Sequence, residues 1–355
     1  MFGRQYQNVC RVEVSEKNLV ENFRYLSKLV PQMAIAPVLK SNAYGHGLVQ
    51  TGKIFAKLNP PFLCVDSLYE AYELSKAGIR TPILVMGYVG AQNLSQKRLP
   101  YSFCAYDLET LVTIHKLQPV AGIHLFVDTG MHREGIAISE LAGVSKLGIP
   151  IEGLMSHLGA AFEPDNRQTQ EQVANFAKAR QILADQGIFP KWVHLGASGA
   201  VLNAKKYGEI GNMARVGKAL YLVVKPAMRV VVKIAQVKEI KKGDKVGYDF
   251  TFTAKRPTKL AVLPIGYNDG VDRRLSNKGV VLIGSRACPI VGRVSMNITT
   301  IDVSNVRGVK MGDEVIVFSE NPKASNSIAK TAEICGTIPY EILVHIQPLT
   351  KRVVI

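Results

Sequence analysis

Long apolar runs, paired cysteines and acidic residues are all scarce in this sequence, and each shortage excludes something. No window supplies the ~18 uncharged apolar residues that a membrane span needs. The first residues, MFGRQYQNVCRVEVSEKN, lack an apolar signal core, so a cytoplasmic protein is expected. The five cysteines (Cys10, Cys64, Cys104, Cys288, Cys335) are scattered, odd in number and never spaced as CxxC. Neither a disulfide framework nor a zinc site is supported, and small buried residues is their plain reading. Asp and Glu total 28 against 44 Lys and Arg, a formal charge of +16. Such a basic chain raises nucleic acid as a partner. The charge is spread along the chain, however. Its densest patches, KEIKKGDK at 238–245 and DRR at 272–274, are short and carry no interleaved aromatics. No nucleic acid and no membrane is therefore the expectation, and the basic surface suits anionic small molecules, phosphorylated cofactors included.

What is present is enough apolar material, 47% of 355 residues, for one large and one smaller core. From residue 12 to about 225, short apolar runs alternate with amphipathic stretches. The runs include 33-MAIAPVLK, 62-FLCVDS, 82-PILVMG, 102-SFCAY, 122-GIHLFVD, 151-IEGLMSH and 192-WVHLGAS. In 18-NLVENFRYLSKLV, Leu19, Val20, Phe23, Leu26 and Val30 recur at helical spacing. Before the stretch beginning at Arg167, Asp165 and Gln168 stand like the two ends of a capping box. Seven such alternations, with an eighth unit near 209–221, predict a (β/α)8 TIM-like barrel. A doubly wound open sheet is the alternative, but no GxGxxG follows the first strand. After about 226, strand-like runs follow one another, separated by turn signals such as KKGD, NDG and SNKG. One helix, 326-NSIAKTAEICG, precedes a last apolar strand. The expected domains are thus a leading strand at 1–11 packing with the C-terminal domain, an α/β barrel at 12–225, and a mostly-β C-terminal domain at 226–355.

In a parallel barrel, chemistry collects at the C-terminal ends of the strands. Reading those ends alone gives Lys40, the segment Asp128 to Arg133, His157, Ser198, Arg215 and Gly217. The late loops hold small residues, 196-GASGA-200 and Gly217, where barrels bind phosphate through backbone N–H groups. A strand-end lysine can form a Schiff base. Lysine with a phosphate cradle points to pyridoxal phosphate (PLP).

With these residues placed, the sequence resembles the alanine racemases, PLP barrel enzymes with a C-terminal β domain. The resemblance covers essentially the whole chain. It rests on 37-PVLKSNAYGHG, 128-DTGMHREG, 194-HLGAS, 215-RVGKALY, 247-GYDFTF, 264-PIGYNDGVDRRLSNKG and 292-GRVSMN, in the family's order. It implies that Lys40 holds PLP and acts as one catalytic base, with Tyr248 from the other subunit of a homodimer as the opposite base. Tyr44, Ser198, Gly217 and Lys218 would bind the phosphate, and Arg215 would face the pyridine nitrogen. Arg133 and Met296 would contact the substrate carboxylate. His157 would flank the ring and couple Tyr248 to Arg215, and Tyr267 would narrow the entrance. The product would be D-alanine for peptidoglycan. Racemisation removes a proton on one face and returns one on the other, so two bases are needed. Arg215 stays charged and only donates, which keeps the pyridine nitrogen an acceptor.

Four departures from the family pattern bear on this. Phe126 stands where many members have a carbamylated lysine that pairs with the following arginine, so Arg133 must be oriented otherwise, for example by a bound anion. Ala197 and Asn297 replace a common asparagine and aspartate. The end, 345-HIQPLTKRVVI-355, lacks the usual tyrosine near Pro348. Bland readings stand beside the functional ones: Lys40 as a solvated lysine, Tyr248 and Tyr267 as β packing, Arg215 as an ion-pair partner, Met296 as core, His46 and His194 as structural histidines. Competing functions are a serine or broad-specificity racemase, a PLP-dependent barrel decarboxylase, a non-catalytic PLP carrier and a nucleic-acid binder.

Overall fold

The computed structural model describes residues 8–355. Chain contacts divide these into two compact units. One is Leu19–Ala43 with Thr51–Val224; the other joins residues 8–18, Tyr44–Gln50 and Lys225–Ile355.

In the first unit, eight short parallel strands, one of them interrupted at Leu195, form a ring. Pairing runs through Leu63–Val65, Ile83–Val85, Ser102–Ala105, Ile123–Asp128, Gly153–Met155 and Trp192–His194. After one residue the chain resumes as Gly196–Ala197, which pairs with Met213–Val216, and that strand pairs with Ala34–Pro37. A parallel bridge between Val38 and Cys64 closes the circle, with Leu39 N–H donating to the Cys64 carbonyl at 2.7 Å. Strand interiors are buried on both faces, as a sheet covered by helices requires. This explains the continuous apolar runs. The covering helices begin where their sequences cap them. Before Leu68–Lys76, Ser67 accepts from the Glu70 N–H and the Glu70 carboxylate reaches back, a full capping box.

Local readings needed correction in three places. The cap of the long helix Arg167–Ala184 is Asn166, whose side chain accepts from the N–H groups of Gln168 and Thr169; Asp165 instead pairs with Lys206. Both residues are good caps, and one residue of phase decided between them. The amphipathic stretch at 140–148, expected as an α-helix, lies in a 3-10 helix, Ile138–Leu147. In the C-terminal region a second helix, Pro339–Val344, follows Ile328–Cys335, with Pro339 in its first turn.

The second unit is built on a six-stranded sheet. Its order is Arg286–Pro289, Val280–Ile283, Glu314–Phe318, Met228–Lys233, Cys10–Val14, Arg352–Val354. A three-stranded sheet of Gln236–Ile240, Thr258–Leu263 and Thr299–Asp302 accompanies it. Cys10–Val14 lies between two partners, antiparallel to Met228–Lys233 and parallel to Arg352–Val354, so its Val12 and Val14 are fully buried. Residues 1–7 of the expected leading strand lie outside the described residues.

Gly211 sits at the joint before the last barrel strand. Its φ is +111° and an added Cβ would lie 1.9 Å from the Val193 carbonyl. Gly211→Ala should therefore destabilise the protein by at least about 2 kcal/mol, from backbone strain and the clash together. Urea unfolding of the variant checks this; a stability unchanged from wild type would contradict the close approach.

Candidate functional site

The strand Ala34–Pro37 delivers Lys40 into an unusual turn. Ser41, Asn42, Ala43 and Tyr44 all have φ between 52° and 55°, a full left-handed turn without glycine. Each such residue costs roughly 1–2 kcal/mol, so other contacts must hold it. Ala43 N–H donates to the Leu39 carbonyl at 2.7 Å. Glu70, besides capping its own helix, accepts from the Ser41 N–H at 2.7 Å and the Asp66 N–H at 2.8 Å. Lys40 Nζ lies 3.4 Å from Asp66 Oδ1, with 42% of its side chain exposed at the mouth of the ring.

Arg215 is the penultimate residue of the strand Met213–Val216 and is 5% exposed. Its Nη1 donates to His194 Nδ1 at 2.6 Å and to the His194 carbonyl, and Nη2 donates to the Ser156 carbonyl at 2.6 Å. Its Nε donates to no group among the described residues. Beyond it runs a buried chain. His194 Nε2 meets His124 Nδ1 at 2.7 Å, His124 Nε2 lies 3.3 Å from Glu152, and Glu152 accepts from Ser102 Oγ at 2.7 Å. His157, next to Ser156 just past the strand Gly153–Met155, feels three cations. Burial first, then Arg215, Arg133 and Lys40, push its pKa down to about 3. His194 is held well below its ordinary value by burial, then by Arg215 and His124. His124 is lowered by burial against the opposing pull of Glu152.

The loop after Ile123–Asp128 carries Arg133, whose Nε and Nη2 both bind the Glu134 carboxylate. Phe126 is turned into the barrel wall, its ring 5.4 Å from that of Tyr106. Ser198 opens a short helix, and its Oγ accepts from the Ala219 N–H at 3.1 Å. Gly217 and Lys218 lead into a π-helical turn, Ala219–Val223, and the Lys218 ammonium lies 4.2 Å from the centre of the Phe162 ring.

The barrel unit thus brings together Lys40, Arg133, His157, Ser198, Arg215, Gly217 and Lys218. Tyr44, Tyr248, Tyr267 and Met296 belong to the second unit. There Tyr44 packs edge-on against Tyr340, its ring 6.1 Å away. Tyr248 is 70% exposed, with Asp249 beside it paired to Arg293 at 2.6 Å. Tyr267 N–H donates to the Ser295 carbonyl and Asn268 N–H to the Met296 carbonyl, so these residues share one neighbourhood. Sequence reasoning missed Glu70, Glu134, His124 and Glu152, and left His194 as structural. His124 could have been found: it alternates with Gly122 and Phe126 along a strand, a polar residue among apolar ones.

The model of the alanine racemase N-terminal domain matches residues 14–225, and that of the alanine racemase C-terminal domain matches residues 227–354. Alanine racemase 2 of Caldanaerobacter subterraneus subsp. tengcongensis is 35% identical, over 97% of this chain and 94% of its own. The alanine racemase of Clostridium difficile 630 superimposes with a TM-score of 0.92 at 28% identity, covering 99% of this chain and 97% of its own. That of Bartonella henselae, solved with covalently bound pyridoxal phosphate, does so with a TM-score of 0.84 at 25% identity, covering 98% and 100%.

The three buried histidines fix a pH dependence. Each binds a proton less readily in the folded chain than in the unfolded one, where titration occurs near the ordinary value. As pH falls through about 6.5, the unfolded state takes up protons that the native state refuses, so stability falls. His157 alone should contribute a slope approaching ~1.4 kcal/mol per pH unit below that point, and His194 and His124 add to it in the same direction. Urea unfolding between pH 7.5 and 5 measures it. A flat profile would sink the assignment, and His157→Gln should lower the slope by ~1.4 kcal/mol per pH unit.

Proposed function

The chain belongs to the alanine racemase family, and from that premise we propose that its barrel mouth interconverts L- and D-alanine with pyridoxal phosphate as cofactor. The observation that carries this reading is Lys40 at a strand end on the same barrel as a buried guanidinium, Arg215, whose Nε has no acceptor among the described residues. A pyridine nitrogen is such an acceptor, so the residues present fit the cofactor.

Bound pyridoxal phosphate supplies the electron sink that makes an amino acid's α-proton removable. Lys40 would hold the cofactor covalently. Ser198, the backbone of Gly217 and Lys218, and Tyr44 would take its phosphate. Arg215 can only donate, so it keeps the ring nitrogen an acceptor and the sink weak. A weak sink favours prompt return of the proton over competing bond cleavages. His157, neutral across the physiological range, would bridge Arg215 and the second base without adding charge.

Lys40 Nζ would move the proton on one face of the substrate and the hydroxyl of Tyr248 of the partner subunit on the other. A homodimer is therefore part of the reading. Its support is the exposed apolar surface of the unit that carries Tyr248, where Phe250 is 65%, Met296 57%, Ile298 48% and Tyr267 43% exposed. Apolar surface of this kind is where a second copy would dock, and a two-fold axis would complete both sites at once. Arg133 would take the substrate carboxylate together with the backbone of Met296, and Tyr267 would narrow the entrance. Among the described residues no helix is long and apolar enough to cross a membrane. A cytoplasmic enzyme feeding D-alanine to peptidoglycan completes the reading.

Racemisation of alanine, serine and lysine by purified, PLP-loaded protein tests it. Alanine should turn over best. Lys40→Ala and Tyr248→Phe should each lose about 100- to 10,000-fold, Tyr248→Phe more in one direction than the other. Cofactor binding without racemisation of any of the three would overturn the reading. Dilution to monomers should abolish turnover, whereas an active monomer would refute the shared site.

A further inference from the structure

We propose that Glu134 aims Arg133, fixing which edge of the guanidinium the substrate carboxylate can meet. The inference rests on the reading of Arg133 as the carboxylate contact. A guanidinium carries five N–H groups in a rigid fork with two edges that can hold a carboxylate. Glu134 occupies the side-on edge: one oxygen accepts from Nε, the other from Nη2 at 2.5 Å. What remains is the end-on edge, one hydrogen each of Nη1 and Nη2, with the second Nη1 hydrogen on the Cδ side. Among the described residues no group accepts from Nη1. An incoming carboxylate therefore finds one edge, already oriented.

The backbone that carries the pair is fixed as well. Asp128 Oδ1 accepts from the N–H groups of Gly130, Met131 and His132 at 2.9, 3.1 and 3.1 Å. His132 is held left-handed at φ 54°, and the loop returns to the sheet at Ile136–Ala137, paired in parallel register with Val127 and Asp128. Arg133 and Glu134 thus sit on a loop tied at both ends. Phe126, packed against the Tyr106 ring, offers no charge to Arg133. The carboxylate that the arginine needs comes from the next residue in the chain, without carbamylation and without a bound anion. The pair is half exposed, 53% for Arg133 and 30% for Glu134, so its contribution to stability is small. Its effect is on orientation, which makes Glu134 a positioning residue.

Steady-state kinetics of the PLP-loaded enzyme with L-alanine separates these roles. Glu134→Gln should raise KM about tenfold with kcat within about twofold and the thermal midpoint unmoved. Glu134→Asp, which keeps the charge on a shorter arm, should fall between. In Glu134→Ala, added formate should restore KM, whereas wild type should respond to neither formate nor chloride. Arg133→Gln is the control. If it raises KM while Glu134→Gln does not, the aiming role is refuted and the carboxylate contact stands. If Arg133→Gln itself leaves KM unchanged, the reading of Arg133 fails, and the inference with it. Stimulation of wild type by chloride or formate would also overturn it.

Discussion

A buried guanidinium organises the mouth of this barrel. Arg215 is 5% exposed and touches no carboxylate among the described residues, so its charge must be met by acceptors alone. Because it only donates, His194 must accept at Nδ1 and carry its proton on Nε2. That proton is given to His124 Nδ1, which leaves the His124 proton on Nε2, facing Glu152. One constraint at Arg215 thus fixes the tautomers of two histidines and ends on an anion that also accepts from Ser102. The close packing this needs is visible at Gly153, where any Cβ would lie 2.1 Å from His124 Nδ1. The glycine in IEGLMSH is there to admit the neighbouring ring.

The turn after Lys40 is the second cost the fold absorbs. Four successive left-handed residues represent roughly 4–8 kcal/mol of local strain, a large share of ordinary domain stability. Glu70 offsets part of it by accepting from Ser41, and it does so from a helix whose first turn it also caps. The same carboxylate thus links the helix start, the Asp66 backbone and the lysine turn. Such strain is retained where position matters more than stability, and here it sets the direction in which Lys40 leaves the sheet.

The barrel was legible because its rule is one-dimensional: alternate apolar runs and amphipathic stretches, then read the last residue of each run. Lys40, Arg133, His157, Ser198 and Arg215 all come from that reading. What was not legible depends on which strands become neighbours. His124 and His194 are 70 residues apart and meet only because Gly153–Met155 lies between their strands. Glu70 reads as an ordinary capping residue, and its second partner, Ser41, is 29 residues away. Glu134 was passed over for the opposite reason. It is adjacent to Arg133 in sequence, and adjacency says nothing about whether the loop turns the two side chains toward each other. The misplaced cap at Asp165 and the unread helix Pro339–Val344 are phase errors of short elements, where one residue or one proline decides.

The two arginines of the mouth illustrate how a rigid fork is given a single meaning. In Arg215 both terminal nitrogens are occupied, by His194 and the Ser156 carbonyl, and Nε is left to offer one hydrogen bond in one direction. In Arg133 the occupied edge is Nε with Nη2, and the end-on pair of donors is left. The first arrangement suits a single lone pair, as on a ring nitrogen; the second suits the two oxygens of a carboxylate. The residue type is the same in both places, and the difference lies wholly in what fills the other edge. With Lys40 these arginines set three cations against His157, and a protonated histidine among them would be repelled. Burial first, and that crowding second, keep His157 neutral, so it can accept or pass a hydrogen bond where a further cation could not stay.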